Sequence, residues 1–341
     1  METRRALLVD AFTDEPLAGN VAGVVPDAAG LSEDRMAQIA AELGASETAF
    51  LVGPGDGDQG GDGGDGDGRS GGGDGDGRDT DGNESIGTDA ADERVRYFTP
   101  TTEVDLCGHA TIASYGALYA DGAIDAGART LRTNVGDLAV RISGEGTVWM
   151  RQNPPTVDVV DADTLDAERL GDALGVDPAA LADIGADLPV AVASTGLPWL
   201  VVPVNFLQRL GEADPDSTAI ERISDEFDVA GVYAFTFDTL EAESTVHGRA
   251  FAPALGVQED PVTGTASGAV AGYLSAVEAF DGEFPEELRF EQGHFIDRPG
   301  HVRARVDGDE VRVGGTAAIS AEVDLRLPAE DADTSDEIIE A

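Results

Sequence analysis

Two stretches of this 341-residue chain resemble each other, and that similarity constrains the fold more than any other feature of the sequence. The first reads RYFTPTTEVDLCGHATIASYGALY and the second reads RAFAPALGVQEDPVTGTASGAVAGYL. Both combine an arginine, an aromatic residue two places before a proline, acidic residues, a glycine and a helical run rich in alanine and glycine. Small residues let a helix lie deep inside a wrapped sheet, and its free N-terminal amides can bind an anion. We therefore expect two units related by a pseudo-twofold axis, with a cleft between the two helix N-termini.

Short apolar runs separated by turn residues predict strands along most of the chain, with few helices between them. Ser32 is predicted to cap the first helix, and Gly44 to end it. Beyond the two central helices, the predicted elements are helices at 163–174, 177–184 and 215–227, one buried strand over STGLPWLVVPV and a strand meander from 287 to 327. We expect two domains, residues 1–126 and 127–328, with the last strands able to return to the first domain.

Residues 53–94 interrupt the first unit with a low-complexity segment of glycine and aspartate. They contain 16 of the 44 glycines and 13 acidic against 3 basic residues, with too little apolar content to offset the entropy of ordering. We expect a disordered insertion between two strands, and a frayed acidic tail at 329–341. A calcium site is not expected, because an EF-hand register places Gly77 and Thr88 where Asp and Glu are needed.

The charge balance is extreme. Sixty-seven acidic residues against 21 basic ones give a net charge of −46, and every basic residue is an arginine. Such a field repels nucleic acids and anionic membranes, so we expect neither as a partner. Because the carboxylates run along the whole chain, adaptation to a high-salt cytoplasm explains them better than a patch for one basic partner. Salt at 1 M shortens the Debye length to about 3 Å and removes most of the self-repulsion.

The sequence has no apparent membrane or export segment. No apolar run approaches the roughly 20 residues that a membrane span needs. The stretch METRRALLVD lacks the apolar core and the small-residue cleavage site of a signal peptide. We therefore expect a cytoplasmic protein.

Cys107 is the only cysteine, and it stands two places before His109, one of four histidines. One cysteine excludes an internal disulfide, and closed structural zinc sites usually take several thiolates. The histidines also lack H-x-x-x-H spacing, so we expect no metal site. Side chains at i and i+2 do not converge on a helix, so we expect Cys107 to be a small buried residue before a helix. His109, at a helix start, is the stronger candidate for a functional residue.

The stretch QEDPVTGTASG carries the second candidate site. Glu259 and Asp260 precede a proline turn, after which Thr263, Gly264 and Thr265 present hydroxyls and free amides together. Amides without partners bind a substrate carboxylate, and an adjacent aspartate suits an ammonium or hydroxyl group on the same molecule. The alternative is an ordinary N-capping turn, and the residues alone leave both possibilities open.

Five motifs of the sequence resemble those of a known family. The motifs VDAFTDEPLAGN, ASETAFL, YFTPTTEVDLCGHAT, STGLPWLVVPV and EDPVTGTASG occur in the order seen in the PhzF-like family of phenazine biosynthesis, which is related to diaminopimelate epimerase. The resemblance covers nearly all of the chain except the insertion and the tail. It implies a diaminopimelate epimerase-like fold: two similar α+β domains, each with a mostly antiparallel sheet curled around a central helix. It also implies an active site between the domains, and often a homodimer.

The same resemblance implies catalytic roles. Glu47, in ASETAF, matches the family's catalytic acid and base. His109, in GHAT, and Asp260, in EDPVTG, match residues that orient the substrate and assist proton transfer. Thr265 stands where the family commonly has serine, so hydroxyl donation is kept while an added methyl alters the pocket.

Substrate-binding residues are expected beside these four. Gly108 and Gly264 match backbone positions that line the family's site, and Thr263 offers a hydroxyl and an amide next to Gly264. Asn20 matches the family's Gly-Asn element, although the proline that commonly follows is Val21 here.

These residues suit a proton shift that needs no cofactor. A glutamate whose pKa is raised by burial can take a proton from carbon and return it elsewhere. The expected function is therefore isomerisation of a small carboxylic acid, with an epimerase, a dehydratase or a non-catalytic binding protein as alternatives. A racemase with two thiols is excluded, because the position of its second cysteine falls near Thr263. A cysteine-dependent hydrolase is not expected, since the chemistry is assigned to Glu47.

Overall fold

The computed structural model describes residues 2–53, 91–182 and 188–328. Most of the predicted insertion, residues 54–90, and the predicted tail at 329–341 lie outside this part of the chain. So does the end of the predicted helix at 177–184. The strand that follows the insertion begins at Glu93, inside the segment assigned to the insertion from sequence.

The described residues form strands and helices in the following order along the chain. The strands are β1 Glu2–Ala11, β2 Asn20–Val25, β3 Thr48–Val52, β4 Glu93–Phe98, β5 Glu103–Val104, β6 Gly127–Thr133, β7 Gly136–Ile142, β8 Val148–Arg151, β9 Thr156–Val159, β10 Ala191–Ser194, β11 Pro198–Pro203, β12 Val232–Thr236, β13 Val246–Ala252, β14 Val257–Asp260, β15 Leu288–Gln292, β16 Gly300–Asp307, β17 Glu310–Gly315 and β18 Ala317–Leu327. The helices are α1 Glu33–Leu43, α2 Gly108–Ala120, α3 Ala167–Leu174, α4 Ala179–Ala182, α5 Leu207–Gly211, α6 Ser217–Phe227 and α7 Gly264–Ala276, with 3₁₀ turns at Pro253–Leu255 and His294–Ile296.

Several predicted elements have different bounds in the structure. The prediction of a single strand over STGLPWLVVPV is wrong. This stretch contains the turn of the antiparallel hairpin β10–β11. Gly196, with φ of +141°, lies in that turn, a conformation that glycine adopts readily. The helix predicted from residue 163 begins at Ala167, because Asp166 is its cap and accepts a hydrogen bond from the Arg169 amide at 2.8 Å.

The sheet repeats one order of strand pairing in its two halves. In the first half, β1 pairs with β2 antiparallel, β2 with β3 parallel, β3 with β4 antiparallel and β4 with β6 parallel, and β6, β7 and β8 form a meander. Strands β10, β11, β12, β13, β15, β16 and β17 repeat these pairings in the second half. Strands β8 and β17 pair with each other and join the halves. The repeat predicted from the internal similarity is therefore confirmed.

The last strand of the described chain pairs with the first, since β18 lies antiparallel to β1. In the same way β9, which follows β8, pairs with β10 in the second half. The segment that follows the last strand of each half therefore adds an edge strand to the other half. The domain boundary at 126/127 stays a prediction. Strands β6 to β8 follow this boundary in the chain, and they continue the sheet of the first half because β6 pairs with β4.

Helices α2 and α7 lie inside the two halves of the sheet. Each has 13 residues, nine of them buried, and an almost uniformly apolar circumference. The equivalent glycines Gly116 and Gly272 explain how closely the sheet approaches. A Cβ atom on Gly116 would lie 2.6 Å from the Cβ of Ala317, and one on Gly272 would lie 2.5 Å from the Cβ of Pro155. Glycine is therefore required where each central helix meets the chain that returns from the other half.

The arginines shared by the two similar stretches make the same contacts in both halves. Arg96 forms an ion pair with Glu103 at 2.6 Å, and Arg249 forms one with Glu259 at 2.7 Å. Each guanidinium also lies over an aromatic ring two residues later in the chain, at 5.2 Å and 4.9 Å from the ring centroid. The repeated motif thus supports the loop that leads to each central helix. Among the described helices, none is long and apolar enough to cross a membrane.

Candidate active site

Glu47 and His109 come together where β3 and α2 begin. Glu47 directly precedes β3, and its carbonyl accepts a hydrogen bond from the Gly23 amide at 2.9 Å. His109 is the second residue of α2. Its Nε2 lies 3.3 Å from Oε2 of Glu47, and the two side chains are 15% and 25% exposed. Ser46, which the sequence did not single out, places its hydroxyl 3.4 Å from the same nitrogen. The structure therefore brings both predicted residues into one accessible site.

Cys107 also contacts His109, contrary to the expectation from sequence. Its Sγ lies 3.5 Å from Nδ1 of His109. The expectation failed because Cys107 is the N-cap of α2 and is extended, with φ of −137° and ψ of 114°, so the two side chains do not follow helical geometry. The other half of the prediction is confirmed, since Cys107 is 8% exposed and packs in the hydrophobic core.

The electrostatics of this contact keep the thiol protonated. Burial raises the pKa of Cys107 well above its ordinary value, and the carboxylate of Glu47 raises it further. A protonated thiol can donate to Nδ1 of His109, which leaves the hydrogen on Nε2 to donate to Glu47. Cys107 is thus suited to orienting the imidazole and not to nucleophilic attack.

Asp260 lies at the corresponding end of the second half and is held by groups from both halves. Asn20, the buried first residue of β2, donates from Nδ2 to Oδ1 of Asp260 at 2.9 Å and to the Val262 carbonyl at 3.0 Å. The hydroxyl of Thr263, the N-cap of α7, donates to Oδ2 of Asp260 at 2.5 Å. Three of the residues predicted from sequence therefore form one hydrogen-bonded group that joins the two halves.

The pKa of Asp260 is raised above its ordinary value. Burial of the carboxyl group is the main cause, and the nearby negative charge of Glu47 acts in the same direction. Hydrogen bonds from Thr263 and Asn20 and the proximity of His109 oppose this increase. The charges of Glu47 and His109, from the first half, therefore act on the carboxyl group of Asp260 in the second half.

Gln292, the last residue of β15, supports this group and was missed in the sequence. Its Nε2 donates to the Asp260 carbonyl at 2.7 Å and to the Thr263 hydroxyl at 3.1 Å, and its Oε1 accepts from the Thr263 amide at 3.2 Å. The side chain is 1% exposed. A buried glutamine at the end of a strand was the available signal, but its partners lie about thirty residues earlier in the chain.

The loop that carries Asn20 is fixed by an ion pair that was also missed. Arg298 donates to Oδ1 of the buried Asp10 at 2.6 Å, and to the carbonyls of Gly19 and Ala18 at 3.0 Å and 2.9 Å. Asp10 accepts a further hydrogen bond from the Leu17 amide at 2.7 Å. Arg298 therefore holds the segment that leads into β2 against the second half.

The first residues of the two central helices were also predicted to line the site. Gly108 and Gly264 begin α2 and α7, and these helices contact each other. Apart from its chain neighbours and the backbone of α2, no described heavy atom lies within 4 Å of the position that a Cβ on Gly108 would take, so a ligand can approach this backbone. Thr265 is the second residue of α7, equivalent to His109 in α2, and is partly exposed. Its role in the site stays a prediction.

The Glu47, Cys107 and His109 side chains could also be considered as metal ligands. Each offers one donor atom, and these atoms lie within 4.8 Å of one another. A metal ion bound here would take Cys107 as the thiolate and would displace the proton that the thiol carries without it.

The two halves, each with a central helix inside its part of the sheet, form a diaminopimelate epimerase-like fold. A crystal structure of a hydroxyproline epimerase from Agrobacterium vitis matches with a TM-score of 0.52 and 13% identity, over 97% of this chain and 93% of that one. The crystal structure of the Bacillus anthracis phenazine biosynthesis protein of the PhzF family is more similar. It matches with a TM-score of 0.76 and 30% identity, over 96% of this chain and 100% of that one.

The chain belongs to the PhzF-like family. The family described as phenazine biosynthesis-like protein matches residues 9–63 and 82–323. An uncharacterized isomerase of Bacillus subtilis, YfhB, is 32% identical over 329 residues, which cover 94% of this chain and 98% of YfhB. The family and the fold predicted from the sequence motifs are thus confirmed.

Proposed function

We propose that this protein is a cofactor-independent isomerase that shifts a proton on a small carboxylic acid. The observation that carries the proposal is the contact between Glu47 and His109 at the N-terminus of α2. A proton shift needs one group that takes a proton from carbon and returns it at another atom, and a carboxylate can do both. Membership of a family whose relative YfhB is called an isomerase supports the same activity.

Each residue has a distinct role in this proposal. Glu47 removes and returns the proton, and His109 donates from Nε2 to stabilise the charge that develops. The free amides at Gly108 and Gly264 bind the substrate carboxylate, as helix N-termini bind anions. Asp260 receives an ammonium or hydroxyl group of the substrate, with Thr265 as a further hydrogen-bond donor. General acid-base action contributes about 10²- to 10⁴-fold, so orientation by these neighbours has to contribute the remainder.

The cysteine positions argue against a two-thiol mechanism. Cys107 is the N-cap of α2, and the equivalent N-cap of α7 is Thr263. A threonine hydroxyl does not supply the second ionisable group that such a racemase needs on the opposite face of the carbon. A single carboxylate that acts as both base and acid fits the residues present. Epimerisation or dehydration by Glu47 would use the same site.

The first experiment is to find the substrate. Small carboxylic acids, with and without ammonium or hydroxyl groups, are screened by thermal shift in molar salt, and each hit is then incubated with enzyme in deuterium oxide. We expect a hit to take up solvent deuterium at carbon. A set of acids that bind and stabilise the protein, with no exchange in any of them, would instead indicate a binding protein without turnover.

We further propose that the protein is a homodimer in a high-salt cytoplasm. The proposal is supported by the family resemblance and by the net charge of −46. Light scattering in molar salt measures the mass in solution, and the monomer has a mass of 35.1 kDa. A mass near that value at micromolar concentration would contradict the dimer.

A further inference from the structure

Three of the four histidines lie together in the second half, and none of them belongs to the candidate active site. His247 on β13 stands opposite Glu291 on β15, which stands opposite His301 on β16. Successive residues of a strand point to opposite faces, and the neighbours Phe290 and Val302 pack in the central core. The His247, Glu291 and His301 side chains therefore share the other face of this sheet.

The carboxylate of Glu291 is the fixed centre of the group. The side chain is fully buried, as is that of His247. Oε1 accepts from Nδ1 of His247 at 2.7 Å and from the Leu240 amide at 2.6 Å, and Oε2 accepts from the Glu241 amide at 3.1 Å. Carboxylate ligands in metal sites are commonly oriented by hydrogen bonds from neighbouring groups, and Glu291 has such hydrogen bonds from a histidine and two backbone amides.

Glu241 and His301 complete a set of three possible ligands. Oε1 of Glu241 lies 3.1 Å from Nε2 of His301, and both side chains are partly exposed. One donor atom from each of Glu241, Glu291 and His301 lies within 4.8 Å of the other two. A metal ion about 2 Å from each ligand needs donor atoms in this range of separation.

Two further imidazole nitrogens beside the group lack a partner. Nε2 of His247 and Nδ1 of His294 are buried and accept or donate no hydrogen bond among the described residues. The His294 ring lies 5.2 Å from the ring of His247 and 6.5 Å from that of His301. These two rings therefore keep hydrogen-bonding capacity beside the proposed ligands.

The charge and the access of the group suit a divalent cation. Glu241, Glu243 and Glu291 carry three negative charges, and Arg289, which forms ion pairs with Glu241 and Glu243 at 3.0 Å, carries one positive charge. The remaining charge of about −2 would be balanced by one divalent ion. A cavity of about 450 Å³, lined in part by Arg289 and His301, gives the ion a path from solvent.

We propose that Glu241, Glu291 and His301 bind a divalent transition-metal ion, zinc above all, with His247 orienting Glu291. One imidazole with two carboxylates suits zinc and its neighbours in the first transition row, whereas calcium and magnesium prefer oxygen ligands alone. No metal site was expected from the spacing of the histidines. The proposed ligands come from a loop and two strands, and the sheet brings them together.

The ion would support the strand that holds the candidate active site. Glu291 is followed by Gln292, which faces the opposite side of β15 and bonds Asp260 and Thr263. Binding at Glu291 therefore restrains the same backbone that positions Asp260. The role is structural, and it does not depend on which reaction the active site performs.

The test is titration of the full-length protein with ZnCl₂ alone, after treatment with a chelator and return to molar salt. Calorimetry is expected to show one tight equivalent and a raised Tm, and CoCl₂ is expected to produce visible absorption bands of a protein-bound ion. An excess of MgCl₂ is expected not to displace the zinc. Displacement of zinc by magnesium at comparable concentration would overturn the proposal, because it would indicate unspecific binding to surface carboxylates.

Two variants locate the ion. His301→Ala and Glu241→Gln each change a partly exposed side chain and are expected to weaken zinc binding at least about tenfold, as loss of a ligand or its support does in metal sites. His109→Ala is the matched control, since it removes a histidine from the other cluster that could hold a metal. Circular dichroism checks the fold of each variant. Wild-type affinity in both His301→Ala and Glu241→Gln, or loss of binding only in His109→Ala, would contradict the assignment.

Discussion

Oε2 of Glu47 lies 3.3 Å from Nε2 of His109, although Glu47 precedes a strand and His109 is the second residue of a central helix. The contact exists because β3 pairs parallel to β2 and α2 packs against both strands. In the proposed reaction Glu47 is the base, and its contact with His109 would orient it before the substrate arrives.

Cys107→Ala tests whether the thiol only orients His109. We expect catalytic activity to fall by no more than about tenfold, because a hydrogen bond of this kind contributes about 0.5–1.5 kcal/mol. Iodoacetamide should also react slowly with the native thiol and rapidly after unfolding, since burial and Glu47 raise the pKa of Cys107. An inactive Cys107→Ala enzyme that folds normally would favour cysteine chemistry instead.

Asp260→Asn is expected to stabilise the protein at neutral pH while it abolishes activity. The carboxyl group of Asp260 has a pKa above its ordinary value of 3.8 in the folded state, mainly through burial. As pH rises above 3.8, the unfolded chain loses this proton first, so the wild type loses stability until the raised pKa is passed. The amide carries no such cost. Thermal melts between acidic and neutral pH should therefore show the Tm of the Asn variant rising relative to that of the wild type as the pH increases.

Asp137→Asn is a control for which the pH dependence of stability should have the opposite sign. The hydrogen bond from Arg132 lowers the pKa of Asp137, so its contribution to stability is present above pH 3.8 and is lost as pH falls through the lowered pKa. This variant should lose a little stability at neutral pH, because the group is at the surface. A parallel pH dependence for Asp137→Asn and Asp260→Asn would contradict the role given to burial.

Gln292→Leu tests the support beneath Asp260. Leucine keeps much of the volume but leaves the Asp260 carbonyl and the Thr263 amide without their partner, at a cost of about 1–3 kcal/mol for each unsatisfied buried group. We expect a lower Tm and a raised KM, because Asp260 and Thr263 lose their fixed positions. Gln208→Ala, on the exposed side of α5, should change neither quantity. A normal KM in Gln292→Leu would remove the positioning role.

Gly116→Ala and Gly272→Ala test the packing of the central helices. The added Cβ atoms would lie 2.6 Å from Ala317 and 2.5 Å from Pro155, and such overpacking costs about 1–3 kcal/mol. Gly144→Ala is the control, since no described heavy atom other than those of its chain neighbours lies within 4 Å of its Cβ position. Denaturant unfolding measures all three variants. Equal stability of the two helix variants and the control would mean that the returning chain does not need these glycines.

The sequence predicted the repeated architecture well, because the same arginine, aromatic residue and glycine pattern performs the same packing in both halves. It also predicted which residues approach each other in the site, through motifs shared with the PhzF-like family. It did not predict Gln292 or Arg298, because the contacts of these residues join segments that are distant in the chain and carry no local pattern. The Cys107 contact was missed for another reason: a cap residue leaves helical geometry, and the spacing rule assumed a helix.

The most direct measurement is deuterium uptake at substrate carbon by wild type and by Glu47→Gln, under conditions where both bind the same acid. The amide keeps the shape of the side chain but cannot take up a proton from carbon. We predict exchange in the wild type and a loss of at least about 10²-fold in the variant, with binding retained. Full exchange by Glu47→Gln would contradict the assignment of Glu47 as the base and acid of the reaction.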